Sequence, residues 1–330
     1  MDDLRTRKGG LCKKALKSLV ANAIGFICGI SSAIYLKNTL TVFVYHDVSE
    51  VPSEFSTTYN LNVPPRIFDF QIRFIKKKFN IISPTDLMQS NVPSRAALIT
   101  FDDGFRSYFT KAIPILEALQ VPSIIFLNME PIIRGAVFWA GLITYLSEKD
   151  GNFKKYMECL LFEKLDDKDL YLSCSKDIVE SYISTTGKSY DEEVYRFVGD
   201  FATQEDLMKN CSRKLVSYGS HLFNHEVPLL LSDQELLDSY CKNSDELRKY
   251  QNYINMFSLP FGQPGTCYSD HQVRLLFQKG AKIIFNSCGL LNLNSFNPYL
   301  QRIPLYYSDN THNKIWFRIF KNSLIRKKGK

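Results

Sequence analysis

Two adjacent carboxylates, Asp102 and Asp103, follow an apolar run in the stretch "LITFDDGF". Neighbouring anions repel each other, so the pair needs a cation, a proton or full solvation. Because Asp-Gly is common in turns, a solvated turn is the simplest interpretation of this stretch alone. The alternative is a metal site with a base beside it, and the choice depends on what else the chain supplies.

A pair of histidines supplies further candidate ligands. His221 and His225 lie four residues apart in "SHLFNH", and the chain contains only five histidines. Two imidazoles and one carboxylate are a suitable ligand set for a catalytic zinc ion that keeps one position open. The spacing alone is a moderate signal, and surface histidines are the competing interpretation. The stretch is not the metalloprotease motif, since Leu222 follows His221 where that motif has Glu.

The elements that must position these residues alternate between strands and helices. Short runs rich in β-branched and aromatic residues predict strands, namely "LTVFVYHDV", "RAALITFDDG", "PSIIFLN", "KLVSYGSH", "INMFSLPFG" and "AKIIFNS". Helical segments lie between them, which predicts an α/β barrel of about seven or eight parallel strands. Residues 140–213 interrupt this alternation with charged helical sequence, and we interpret them as an insertion, either a lid or a substrate-binding subdomain.

Several candidate residues follow predicted strands. In a barrel of parallel strands, the loops after the strands converge on one pocket. His46, the acidic pair, the histidine pair and the segment 260–262 each occupy such a position. We therefore expect them to lie together. Asp47 is expected to be a turn residue, and Trp139 either lines the pocket or packs in the core.

Together these stretches resemble the polysaccharide deacetylase family, which has the NodB-homology domain. "TFDDG" is similar to its first motif, "LPFG" to its Pro-aromatic-Gly motif and "RIP" to its late Arg segment, while "SHLFNH" has Leu222 in place of Ser or Thr. "VYHDV", ahead of the others, resembles the permuted subgroup that includes poly-N-acetylglucosamine deacetylases. The Arg ordinarily found just before the Pro-aromatic motif is absent, and Ser258 stands in that region. The resemblance spans residues 40–310 and implies a distorted (β/α) barrel of about seven strands.

The resemblance implies a role for each matching residue. Asp103, His221 and His225 would hold one divalent metal ion, expected to be Zn²⁺. Asp102 would be the general base, because the metal neutralises the neighbouring carboxylate and leaves this one ionised. His46 would be the general acid, since an amine is a poor leaving group unless it is protonated.

Two further roles are implied with plainer alternatives beside them. Arg302 would pair with Asp102 and lower its pKa, although an ordinary surface ion pair is the alternative. A backbone N–H near Phe261 would hold the oxyanion, although its side chain could simply belong to the core. The motif that would form this oxyanion site consists of Pro260, Phe261 and Gly262.

The expected function is that of a metal-dependent hydrolase. It would remove N-acetyl groups from amino sugars of a polysaccharide, a surface glycan or its lipid-linked precursor. An O-acetyl esterase is one alternative, and activity that survives loss of His46 would favour it because an alkoxide leaves more easily than an amine. A degenerate sugar-binding module that no longer catalyses is a second alternative. A phosphatase is a more distant one, since it would need an Asp-x-Asp pair with Mg²⁺.

Composition narrows the classes of partner. The chain has 330 residues, 45% of them hydrophobic, and a net charge of +7 with basic runs at both ends. Aromatic and basic residues are not interleaved as single-stranded nucleic acid requires, so we expect no nucleic acid partner. Eight cysteines without a C-x-x-C pair exclude the common zinc-ribbon and redox spacings and favour a reducing compartment.

An uncharged segment near the N-terminus indicates contact with a membrane. Residues 18–36 follow a basic flank and carry no charge, a length that just suffices to span a bilayer. Small residues recur every four positions, a face that lets membrane helices approach closely: Ala21, Gly25, Gly29 and Ala33. We predict an anchor or interfacial helix, with a helix packed against the domain as the alternative. The side of the membrane stays open: the basic flank places the domain outside, whereas unpaired cysteines favour the cytoplasmic face.

The expected organisation has three parts. Residues 1–38 form the basic N-terminal segment with the membrane-associated helix, and residues 39–312 form the deacetylase-like barrel with its insertion. Residues 313–330 are expected to be a basic C-terminal tail.

Overall fold

A ring of seven parallel strands forms the centre of the protein, with an eighth strand outside it. The computed structural model describes residues 2–161, 173–187, 191–293 and 297–326. In chain order the strands are β1 (Leu40–Tyr45), β2 (Asn80–Ile81), β3 (Ala96–Phe101), β4 (Ser123–Leu127), β5 (Val216–Ser220), β6 (Tyr253–Ser258), β7 (Ile283–Asn286) and β8 (Tyr299–Pro304). The ring runs β1-β8-β7-β6-β5-β4-β3 and closes by pairing of β1 with β3, while β2 pairs only with the start of β3. The predicted distorted (β/α) barrel is confirmed.

Helices follow most strands and pack outside the ring. They are α1 (Asp2–Tyr35), α2 (Glu54–Thr58), α3 (Pro65–Lys78), α4 (Pro84–Met88), α5 (Ile113–Ala118), α6 (Met129–Arg134), α7 (Trp139–Lys149), α8 (Gly151–Leu161), α9 (Lys176–Thr186), α10 (Asp191–Val198), α11 (Gln204–Asn210), α12 (Asp233–Leu247), α13 (Asp270–Lys279) and α14 (His312–Arg326). The N-terminus of α12 has a capping box in which the Ser232 hydroxyl accepts from the Glu235 N–H and the Glu235 carboxylate accepts in return. This start is the one that the sequence predicts.

Successive side chains of each strand point alternately into the ring and outwards to the layer under the helices. Val42, Leu98 and Phe126 pack together inside, whereas Phe43 and Ile99 contribute to the cluster beneath the outer helices. Towards the carboxyl ends of the strands the interior becomes polar, with these residues buried: Thr100, Asp102, Ser258 and Arg302. Apolar side chains therefore fill the interior of the barrel beneath its polar end, where the side chains that could react are located.

Helices α7 to α11 lie between β4 and β5, where the sequence indicated an insertion. The apolar side chains of α7 to α10 form a separate cluster that includes Trp139, Leu146, Phe153 and Val194, whereas Leu207 of α11 packs in the main cluster. The described part of residues 140–213 contains no strand, and its residues 162–172 and 188–190 lie outside the described ranges. This segment therefore has a core of its own beside the barrel.

The two terminal helices pack against each other. A methyl group added at Gly25 would lie 1.8 Å from the backbone oxygen of Asn313, and one at Gly29 would lie 2.7 Å from the Trp316 ring. The small residues therefore do permit a close approach, and the neighbouring helix is α14. Residues 312–326, most of which we expected in a basic tail, instead form this helix because its apolar face is buried here. Among the described residues, no helix combines the length and the hydropathy of a membrane span.

Candidate active site

The carboxyl ends of the strands surround a cavity of about 380 Å³. Side chains from the ends of β1, β3, β5 and β6 line it together, although they are distant in sequence. Those among the predicted site residues are His46, Asp102, Asp103, His221, His225 and Phe261. Pro260 and Gly262 flank Phe261 in the same loop, and Arg302 lies in β8, where it contacts Asp102. The structure thus brings all nine predicted residues to one end of the barrel.

Asp103, His221 and His225 form a buried group that could hold a metal ion. The Asp103 Oδ1 atom lies 3.4 Å from His221 Nε2 and 3.3 Å from His225 Nε2. His221 Nδ1 donates a hydrogen bond of 2.7 Å to the Ser258 carbonyl, which leaves the Nε2 lone pair directed at the group. Burial lowers the pKa of His225 more than Asp103 raises it. His225 is therefore neutral, as a metal ligand must be, and one carboxylate with two imidazoles fits a divalent zinc-type ion.

The loops that carry these ligands adopt strained backbone conformations. Asp103, Leu222, His225 and Phe261 have φ angles of 73°, 61°, 53° and 61°, in the left-handed region that side chains rarely adopt. Each such residue costs about 1–3 kcal/mol and persists only where its surroundings hold it in place. The concentration of strain in three loops around one cavity indicates that the ligand positions are built for a function.

Two buried amides hold the loop after β5. Asn128 donates to the carbonyls of His221 and Leu222, the second bond being 3.0 Å long. Asn243 donates to the Leu127 carbonyl and to the Ser220 hydroxyl, each at 2.8 Å. Leu222 itself is buried in the apolar cluster under α12 and α13. These contacts hold the loop in place, although Leu222 lacks the hydroxyl of the Ser or Thr that the similar family motif has at this position.

Asp102 is paired with Arg302 in a buried bidentate ion pair. The two N–O distances are 2.7 and 2.6 Å, and the side chains are only 5% and 1% exposed. Ser258 and Ser287 accept further hydrogen bonds from the guanidinium at 2.8 and 3.1 Å. Burial alone raises the pKa of Asp102, but Arg302 and then His221 outweigh it, so the pKa lies below its usual value. Asp102 is therefore ionised at neutral pH and fixed in orientation.

Of the remaining predicted residues, His46 and Phe261 line the cavity wall. His46 is half-buried there, and its imidazole makes no hydrogen bond with the residues that the structure describes. The Phe261 ring lies 4.6 Å from the His225 ring. Gly262 has a φ of 64°, and a methyl group on it would lie 2.6 Å from the Ser287 Cβ, so only glycine fits. Its N–H already donates to the Pro260 carbonyl at 2.7 Å.

Asp47 and Trp139 lie near the cavity, and their contacts give each of them a structural role. The Asp47 carboxylate accepts hydrogen bonds from the hydroxyls of Ser49, Ser56 and Ser107, which places it in a loop-fixing network. Trp139 is buried in the insertion's apolar cluster, while the residues on either side of it line the cavity.

Sequence reasoning missed most of the apolar wall. The additional lining residues include Phe55, Tyr59, Leu61, Phe138 and Tyr306. The Phe138 ring lies 5.1 Å from that of His225. Only Tyr306 had a usable signal, since it follows the "RIP" segment closely. The others come from α2, from the residues just after it and from the residue before α7, and these stretches carry no recognisable motif.

Comparison of the sequence with known protein families and with curated proteins finds no match. Comparison of the structure with solved structures finds similar chains. IcaB from Ammonifex degensii aligns with a TM-score of 0.57 and 14% identity over 85% of this chain and 97% of its own. The Streptococcus pyogenes deacetylase PplD, solved in complex with acetate, aligns with a TM-score of 0.55 and 16% identity, over 85% and 98%.

A third similar structure is that of a de-N-acetylase from Aggregatibacter actinomycetemcomitans, with a TM-score of 0.53 and 15% identity over 85% of this chain and all of the other. The chain has the fold of the polysaccharide deacetylases. The resemblance drawn from the motifs is therefore confirmed at the level of the fold. In this deacetylase fold the Asp-His-His group and the Asp102–Arg302 pair lie at the end of the barrel where the strand-end loops converge.

Proposed function

We propose that this protein is a metal-dependent hydrolase that removes N-acetyl groups from amino sugars of a glycan or of its lipid-linked precursor. One observation carries the proposal: an ionised carboxylate, Asp102, fixed by Arg302, lies in the same cavity as a buried metal-type ligand group. A sugar-binding module would need neither the group nor the buried ion pair. The deacetylase fold supports the reaction class.

Each polar residue of the cavity has a distinct task in this reaction. Asp103, His221 and His225 would hold the metal, expected to be Zn²⁺, which supplies Lewis acidity and lowers the pKa of water towards about 7. Asp102 accepts the proton of the attacking water, and Arg302 keeps its oxygens oriented. His46, which lines the same cavity, donates a proton to the nitrogen of the leaving amine.

The apolar wall positions the substrate. Phe55, Phe138 and Phe261 present ring surfaces beside the polar end of the cavity. Such surfaces can contact the apolar faces of a sugar and the methyl of its acetyl group while excluding bulk water. The backbone around Pro260 and Phe261 remains our proposed oxyanion site, with Gly262 permitting the close packing of that loop.

Bound metal and acetate release test the proposal together. We expect the purified protein to contain about one equivalent of zinc and to release acetate from N-acetylglucosamine oligomers. His225→Ala removes one of three ligands and should abolish both, because the remaining two ligands bind zinc weakly. His271→Ala, which alters an exposed histidine on α13, is the matched control. Full zinc content and full activity in His225→Ala would refute the assigned site, and acetate release without any metal would refute the metal dependence.

A membrane surface is the proposed location of this reaction. The face of α1 opposite α14 is apolar and exposed, and it consists of Leu19, Val20, Phe26, Ile27, Ile30 and Ile34. Exposed Lys17 and Lys37 lie at the two ends of this face. An apolar helical face with lysines beside it suits an interfacial position on an anionic bilayer.

Vesicle binding tests this location. We expect the protein to partition onto vesicles of phosphatidylcholine that contain phosphatidylglycerol, and more weakly onto phosphatidylcholine alone. Phe26→Asp with Ile30→Asp should lower the partition coefficient more than tenfold, because two apolar contacts are replaced by charges. Met208→Asp, an exposed apolar position on α11, is the control and should leave it unchanged. Equal binding of the parent and the double variant would contradict the proposal.

A further inference from the structure

A second cavity opens beside the active-site cavity and shares part of its wall. It has a volume of about 290 Å³. Four residues line both cavities, namely Gln263, Ser287, Pro304 and Tyr306. The two spaces therefore adjoin each other at these four residues.

Helix α14 forms the far wall of this second cavity. Its residues Arg318, Lys321 and Asn322 lie on one face of the helix, at three- and four-residue spacing. Its apolar residues pack in the core on another face: Ile315, Trp316, Ile319 and Phe320. None of the described residues that line the second cavity is acidic. The packing of α14 thus presents basic side chains to a space next to the active site.

The charges in this wall are incompletely compensated. Arg318 donates to buried Asp309 through Nε at 3.0 Å and through Nη2 at 3.4 Å. Its Nη1 has no hydrogen-bond partner in the described part of the chain. Lys321 forms neither an ion pair nor a hydrogen bond with any described residue. Because Arg318 and Asp309 neutralise each other, the cavity has one net positive charge, with N–H donors from Lys321 and Arg318.

We infer that the second cavity binds a singly charged oxyanion, a phosphodiester or a carboxylate, carried by the glycan next to the acetylated sugar. This inference rests on the proposed function and names its substrate class: an anionic acetylated glycan. The oxyanion neutralises Lys321 and accepts from Arg318 Nη1. The Asn322 amide already donates to the carbonyls of Cys288 and Gly289, at 3.1 and 3.0 Å, so it shapes the wall.

Substrates with and without a negative charge test the inference. Acetate release is measured with the zinc-loaded full chain on an N-acetylglucosamine disaccharide, on its methyl phosphodiester and on a glucuronic acid–N-acetylglucosamine disaccharide. We expect a lower KM for at least one anionic substrate than for the neutral one. Lys321→Ala should raise that KM about five- to tenfold, with kcat unchanged and the neutral KM altered less than twofold. High salt should weaken the preference, because the charges are exposed to solvent.

The control and the contrary outcomes are specific to the second cavity. Lys314→Ala alters the same helix at a lysine that bonds to Asn310 and does not line the cavity, and it should change no KM. Equal KM values for neutral and anionic substrates in the parent would overturn the inference. So would a Lys321→Ala effect of equal size on all three. Which anionic substrate responds tells a phosphodiester from a carboxylate.

Binding separates this inference from the proposed function. The Asp102→Asn protein is titrated calorimetrically with the methyl phosphodiester and with the glucuronic acid disaccharide. Binding of either that weakens at least fivefold in the additional Lys321→Ala variant supports the anion site even where no acetate is released. Binding of both that is indifferent to Lys321 overturns it even where the protein proves to be a deacetylase.

Discussion

Asp102→Asn should lower kcat for acetate release by about three orders of magnitude while the bound zinc stays at its parental level. An amide cannot accept a proton at neutral pH, and general base catalysis contributes about 10²–10⁴-fold. The three proposed ligands are untouched, because Asp102 contacts Arg302 and Ser258 rather than the zinc group. Acetate release and zinc content measured on the same sample check both halves of the prediction.

The companion measurements guard against a trivial loss of folding. Asp200→Asn alters an exposed carboxylate outside the active-site cavity and should retain parental kcat. Asp102→Asn leaves Arg302 without its counterion, so its melting temperature is expected to fall and activity must be compared well below that temperature. A folded, zinc-loaded Asp102→Asn protein with near-parental kcat would show that another group is the base.

Arg302→Met should lower the free energy of unfolding by about 3–5 kcal/mol. The side chain is 1% exposed, and its removal leaves the Asp102 carboxylate buried beneath the cavity without a counterion. The hydroxyls of Ser258 and Ser287 and the Asn286 carbonyl also lose their donor. Urea unfolding at neutral pH, with the parent and the variant compared at the same zinc content, measures the loss.

A surface pair and a double variant make this test specific. Arg213→Met removes an exposed ion pair with Glu117 and should cost no more than about 1 kcal/mol. Asp102→Asn combined with Arg302→Met should be more stable than the sum of the single losses predicts, because no buried charge remains unpaired. A loss for Arg302→Met as small as that for Arg213→Met would mean that the buried pair contributes little to folding.

The sequence predicted the elements whose signal is local. Strand ends marked the positions of Asp102 and His221, and the Ser-x-x-Glu pattern that begins at Ser232 was readable as a capping box over four residues. The closing strand β8 was not predicted as a strand, and only its "RIP" segment was singled out, as a motif. The motif residues converge because parallel strands must present their carboxyl ends on one side.

Contacts between segments that are distant in the chain could not be predicted from the sequence. Nothing local shows that Ser258 and Ser287 accept from Arg302, or that Asn128 and Asn243 hold the histidine loop. The same limit applies to the small residues of α1. Their spacing correctly predicts a close helix contact, but the identity of the second helix depends on where α14 lies in the folded chain.

Strand β1 pairs with β3 and with β8, and β8 completes the ring. The order in which the chain is synthesised therefore affects when the site is assembled. Asp102 is made 200 residues before the Arg302 that neutralises it. At about 5–20 residues per second, this interval lasts roughly 10–40 s on the ribosome. Until β8 is made, β1 lacks this neighbour and Asp102 lacks the Arg302 guanidinium as its buried counterion. The proposed base therefore acquires the orientation that Arg302 gives it only once β8, the last strand in the chain, is in place.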